Sequence, residues 1–208
     1  WHLKHKGLID YSIVMPYDSC GNVSPGSIAG AIRPNTRLIV LSSASNVTGT
    51  ILPYKEVGEI AAEKGILFLV DAAQGSGVLN FDVQAMNISL LAFPGHKGLM
   101  GPQGTGGLYV APGVEMRPVL FGGTGSRSFE TIHPEFMPDV VEAGTLNSPG
   151  IAGLGAGVQW LMDVGLERIR EKKKLLLESF FGAMDHIPSV RIYSERDAGK
   201  NSGIISLI

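Results

Sequence analysis

Short apolar runs alternate with segments of helical period along the middle of the chain. Arg37-Leu38-Ile39-Val40-Leu41-Ser42, Ile66 to Val70, Ile88 to Phe93 and Gly107 to Ala111 have strand length and strand character. Between the first two, Pro53 opens a helix with Val57, Ile60 and Ala61 on one face and Glu56, Glu59 and Glu63 at polar positions. Gly65 supplies its stop. A shorter helix is predicted from Ser24-Pro25-Gly26 to Ile32, ended by Arg33-Pro34-Asn35-Thr36. This strand–helix–strand rhythm predicts an α/β fold with a mainly parallel sheet and helices on its faces.

From Pro112 to Thr145 the periodicity is lost and Gly, Pro, Ser and Thr accumulate, as in a functional loop or an interface. Ser148-Pro149-Gly150 then caps a glycine- and alanine-rich helix running to about Val164. Beyond Gly165 an amphipathic helix is predicted from Leu166 to about Met184. Val190 to Tyr193 and Gly203 to Ile208 read as two further strands. The chain has no internal repeat.

Composition narrows the function classes. Hydrophobic residues make up 44% and charged residues 17%, which supports a packed core and argues against disorder. A net charge of -2 gives no footprint for nucleic acid, and the basic run Arg168 to Lys174 is broken by Glu171 on a helical face. Cys20 is the only cysteine, so neither a disulfide nor a cysteine-ligated metal cluster forms within one chain. Gly, Pro or charge interrupts every apolar run before membrane-spanning length, and the start carries no signal-peptide pattern. A cytoplasmic protein without membrane contact is expected.

The candidate chemistry centres on Lys97. It follows the predicted strand Ile88 to Phe93 and precedes the glycine-rich stretch Gly98 to Gly107. A desolvated amine at the mouth of a sheet can be held as a Schiff base. Asp71 ends a neighbouring apolar run, with Gln74 three residues further on. An acid, an amide and a lysine at adjacent strand ends suit pyridoxal 5'-phosphate, whose ring nitrogen needs a carboxylate beside it to stay protonated.

Four stretches carry a family resemblance: Ser45-Asn46-Val47-Thr48-Gly49-Thr50, Asp71-Ala72-Ala73-Gln74-Gly75, Gly95-His96-Lys97 through Gly101-Pro102-Gln103-Gly104, and Glu142-Ala143-Gly144-Thr145. In that order and spacing they resemble the class V aminotransferases, fold-type I pyridoxal-phosphate enzymes, and among them the cysteine desulfurases and selenocysteine lyases most. The resemblance implies a three-layer large domain over 1–164. Residues 165–208 would then be a connector helix and the start of a small α+β domain. It also implies an internal fragment, beginning well inside the large domain and stopping inside the small one.

Roles follow from the same resemblance. Lys97 would form the Schiff base and move protons, Asp71 would face the ring nitrogen, and Gln74 and Asn46 would lie near the phenolic oxygen. His96 would donate to the phosphate. Thr145 would reach the phosphate of a neighbouring subunit's cofactor, implying a homodimer. Two positions depart from the family pattern: Pro94 stands where a phosphate-binding serine is usual, and Val140-Val141 precede Glu142 where an arginine is often found.

The family's stacking group and phosphate loop would precede Trp1. Its substrate-carboxylate arginine and nucleophilic cysteine would follow Ile208. Cys20, ahead of the first matching stretch, does not take that nucleophile's place, and Arg127 is left without a role. The implied activity is desulfuration of cysteine to alanine, with sulfur passed to an acceptor protein. Transamination or β-elimination on another small amino acid stays open, as does a non-catalytic truncated subunit or scaffold.

Overall fold

A computed structural model describes residues 2–127 and 129–208. In chain order the elements are α1 (His2–His5), α2 (Pro25–Ala31), β1 (Leu38–Ser42), α3 (Tyr54–Glu63), β2 (Leu67–Asp71), β3 (Leu90–Pro94), β4 (Gly106–Val110), α4 (Ser148–Val164) and α5 (Leu166–Met184). A single turn of 3-10 helix, Asp139–Val141, interrupts the long irregular stretch. The α/β class is as the sequence predicts.

The four strands lie in chain order, β1 parallel to β2, β2 parallel to β3, and β3 antiparallel to β4. The last pairing follows from its connection. Residues 95–105 form a glycine-rich loop with no helix, and a parallel return needs a longer crossover, usually helical. The sheet is therefore mainly, not wholly, parallel.

Side-chain alternation divides the sheet into two faces. Ile39, Phe68, Val70 and Leu91 point to one, where Val57 and Ala61 of α3 and Val78, Leu79 and Ile88 of the β2–β3 connection complete the main core. Phe68 and Val57 are fully buried there. On the opposite face Leu38, Val40 and Leu67 meet solvent, Val40 being 61% exposed. The helix α3 stops where Gly65 takes a φ of +63°, which only glycine adopts without strain.

A second apolar cluster joins Leu177 and Phe181 of α5 to Ala198, with Phe180, Ile192 and Ile205 around it. The strands expected at 190–193 and 203–208 reduce to one antiparallel bridge, Ile192 to Leu207. Arg191 and Ile208 exchange backbone hydrogen bonds at 2.8 and 2.9 Å, and the Tyr193 N–H reaches the Ser206 carbonyl at 2.9 Å. An isolated two-stranded pair has no third strand to extend it, so regular strand geometry is not enforced.

Candidate cofactor site

Ser42, Asp71 and Ala92 are register partners across the three parallel strands. The segments leaving β1, β2 and β3 therefore emerge along one edge of the sheet. They carry five of the six expected residues: Asn46 after β1, Asp71 and Gln74 at the exit of β2, and His96 and Lys97 after β3. The carboxyl edge of a parallel sheet is where α/β folds bind ligands.

Asp71 is the last residue of β2. Its Oδ1 accepts the Ala73 N–H at 2.9 Å, an Asx turn that fixes the carboxylate. Its Oδ2 accepts no hydrogen bond among the described residues. The Asp71 carbonyl accepts both the Ser43 N–H at 2.8 Å and the Ser43 hydroxyl at 3.1 Å. Ser43, fully buried, thus ties the exit of β1 to that of β2. Sequence reasoning passed over it, although a hydroxyl where an apolar run stops was the available signal.

The exit loops touch backbone to backbone. A Cβ on Gly75 would lie 2.5 Å from the Ser43 hydroxyl oxygen. One on Gly77 would overlap the Gly98 carbonyl, and one on Gly98 would overlap the Ser76 carbonyl. Gln74 is half-buried within the turn that this packing compresses.

Lys97 heads a turn closed by the Met100 N–H on its own carbonyl at 3.0 Å. The Gly101 N–H reaches the Gly95 carbonyl at 2.8 Å, and the Gly95 N–H reaches the Thr105 carbonyl at 2.8 Å, so both flanks of the turn are pinned. Helix α4 backs this loop. A Cβ at Gly157 would lie 2.5 Å from the Leu99 carbonyl, and one at Gly153 would lie 3.0 Å from the Pro102 ring. The Leu154 side chain packs over Gly95 and Gly101.

Asn46 sits in a turn braced by the Ser45 hydroxyl oxygen, which accepts the N–H groups of Val47 at 3.1 Å and Thr48 at 3.0 Å. Thr145 lies apart, exposed in the irregular stretch, two residues before Asn147. Asn147 caps α4 by accepting the Gly150 N–H at 3.1 Å. No hydrogen bond among the described residues joins Thr145 to the other five.

Asn46, His96 and Lys97 are exposed. The sequence suggests a desolvated Lys97 amine; here Lys97 is exposed, on a turn backed by α4. The side chains of Asn46, Gln74, His96 and Lys97 hold no hydrogen bond or ion pair among the described residues. The donor set fits pyridoxal phosphate: a carboxylate with a free oxygen, two amides, an imidazole and a primary amine, uncommitted along one edge. Pro94 closes β3 opposite Gly106 and offers no hydroxyl.

Two residues outside the set are accounted for. Burial, then the Asp18 and Glu195 carboxylates, push the Cys20 thiol above its ordinary pKa, which disfavours the thiolate. Arg127 pairs with Glu130 at 3.2 Å and stacks 4.7 Å from the Phe136 ring centre.

Residues 9–208 match the family model for aminotransferase class-V, and the chain belongs to that family. It is 38% identical over 197 residues to a probable cysteine desulfurase of Methanothermobacter thermautotrophicus, covering 93% of this chain and 49% of that protein. It is 40% identical to the cysteine desulfurase IscS of Methanosarcina thermophila over 79% of this chain and 36% of that one. The apo structure of the cysteine desulfurase from Thermococcus onnurineus NA1 superposes with a TM-score of 0.88 at 31% identity, over 100% of this chain and 52% of that one. The structure of SspA in complex with cysteine matches with a TM-score of 0.63 at 35% identity, covering 76% of this chain and 43% of that one. The chain spans about half the length of the relatives it matches.

Proposed function

We propose that the protein carrying this chain is a pyridoxal-phosphate-dependent cysteine desulfurase, converting cysteine to alanine and passing the sulfur to an acceptor protein. The observation that carries the reading is the single sheet edge on which Asn46, Asp71, Gln74, His96 and Lys97 emerge from three successive parallel strands. Family membership supports the cofactor. The names of the relatives and the cysteine bound to SspA support the substrate.

The cofactor supplies an electron sink for charge developing at the substrate α-carbon. Lys97 would hold the cofactor through its amine and would serve as the acid and base that moves the substrate's α proton. The free oxygen of Asp71 would face the ring N–H and favour its protonated form. Gln74 and Asn46 would donate amide hydrogens toward the phenolic oxygen. His96 would donate to the phosphate, and backbone N–H groups would serve it where Pro94 gives no hydroxyl.

We read the protein as a cytoplasmic homodimer. No described helix is long and apolar enough to cross a membrane. Thr145 is exposed on the same irregular stretch as the water-facing Leu120, Phe121 and Ile132, which suits a subunit interface and a reach toward the partner's cofactor. Residues 1–164 form the cofactor domain in this reading, and 165–208 the connector and the start of a second.

The test is the visible spectrum of the full-length protein with pyridoxal 5'-phosphate, wild type beside Lys97→Ala. A yellow band that borohydride abolishes, absent from the variant and shifted by cysteine, is the expected result. A colourless wild type would sink the reading.

A further inference from the structure

Asn201 is 4% exposed and its carboxamide is saturated at both ends. Its Nδ2 donates to the carbonyls of Glu195 at 2.8 Å and Ile204 at 3.0 Å, and lies 3.4 Å from that of Thr48. Its Oδ1 accepts the N–H groups of Gly203 at 2.8 Å and Ile204 at 3.0 Å. An end that faces three carbonyls must be the amino end, so this network fixes the amide orientation. One side chain thereby folds the chain's last turn and grips a loop far away in sequence.

The gripped loop is the one that carries Asn46. Asn201 stands in an antiparallel bridge with Thr50, and the Ser202 N–H reaches the Gly49 carbonyl at 2.8 Å. The Ser206 hydroxyl donates to the Val47 carbonyl at 2.5 Å, and the Glu195 N–H to that of Thr48 at 3.3 Å. Gly49, with a φ of +76°, leaves no room for a Cβ, which would lie 2.8 Å from the Asn201 carboxamide carbon. The carbonyls of Val47, Thr48 and Gly49 are therefore all held by residues 195–206. Asn46 is left with a free side chain on a loop whose outer wall is fixed.

From this geometry we infer that Asn201 is a positioning residue for Asn46, setting how its amide meets the cofactor. The inference rests on the cofactor reading above. The loop's own contacts, the Ser45 hydroxyl, the Ser45 N–H on the Thr50 carbonyl at 2.9 Å and the Gly49 N–H on the Ser45 carbonyl at 3.2 Å, close it at its base but leave the Val47, Thr48 and Gly49 carbonyls to residues 195–206. The Asn201 clamp holds them, so the amide is presented without a further ordering cost on binding.

The experiment is a double-mutant cycle on the full-length protein: Asn46→Ala, Asn201→Ala and both together. Pyridoxal 5'-phosphate affinity, the pH profile of its visible band and Tm are read for each. Each single variant is expected to weaken cofactor binding about tenfold, the worth of one hydrogen bond, and to move the pH profile in the same direction. The pair should lose no more than the larger single. Additive losses overturn the inference, as does an Asn201→Ala that lowers Tm with affinity and pH profile unmoved. Should Asn201→Ala fail to fold, Ser206→Ala, which frees only the Val47 carbonyl, enters the same cycle and is judged by the same criteria. A silent Asn46→Ala sinks the assignment of Asn46 and this inference with it. A normal Asn46 effect beside a silent clamp variant sinks this inference alone.

Discussion

Gly77 and Gly98 meet backbone to backbone, and a Cβ on Gly77 would occupy the position of the Gly98 carbonyl. This contact locks the turn that bears Gln74 to the loop that bears Lys97. Gly77 also has a φ of +78°, where a side chain is strained whatever the space. Gly77→Ala is therefore expected to destabilise by roughly 2–4 kcal/mol and to lower cofactor affinity as the two loops separate. Thermal unfolding and a cofactor titration check both halves; an unchanged Tm would refute the packing argument.

Two glycines of α4 make a matched pair. A Cβ at Gly155 meets nothing within 4 Å, whereas one at Gly157 would press on the Leu99 carbonyl at 2.5 Å. In a helix interior Gly→Ala gains about 0.5–1 kcal/mol where space allows. Gly155→Ala should raise Tm slightly. Gly157→Ala should lower it and weaken cofactor binding, because the helix pushes the Lys97 turn outward. Equal effects at the two positions would contradict the geometry.

Asp71→Asn separates the carboxylate's two tasks. An asparagine keeps the oxygen that accepts the Ala73 N–H, so the turn survives and Tm should change little. It cannot stabilise a protonated ring nitrogen. Turnover is expected to fall by about 10- to 100-fold, the worth of a hydrogen bond to a charged group. A Tm drop of several degrees, or full turnover, would count against this division of labour.

Lys173 gives a pH signature of its own. Burial lowers its pKa below 10.5, and among the described residues its ammonium has only the Ser202 carbonyl, at 3.2 Å, as partner. Between the lowered folded value and 10.5 the unfolded chain holds the proton more tightly. Stability linked to this group is thus withheld at lower pH and recovered as pH climbs through that window. Lys173→Met should raise Tm at pH 7 and flatten the alkaline rise. Parallel Tm profiles for the two proteins would refute it.

Much of this fold can be read directly from residue pattern. Helix α4 begins at Ser148-Pro149 and α5 follows Gly165, where local signals and tertiary packing agree. The turn-rich stretch after β4 is irregular as its composition implies. The antiparallel β4 was hidden because hydropathy gives strand length but not direction. The strands expected near Val190 and Ile208 failed because backbone groups there serve loops as well as each other. At the site, residues with their own reactivity (Lys97, Asp71, His96) were visible. Ser43, Asn201 and Gly157 were not, since a buried serine, a buried asparagine and a helical glycine acquire meaning only from what they touch.

Both connections between parallel strands, α3 and the segment after Asp71, pack on the side of Phe68 and Val70. That follows from handedness: right-twisted strands laid side by side in one direction send every crossover to the same side. These two connections therefore leave the side of Leu38, Val40 and Leu67 to be covered by some other segment. No lengthening of these two connections could roof that side without reversing the direction in which the sheet is laid.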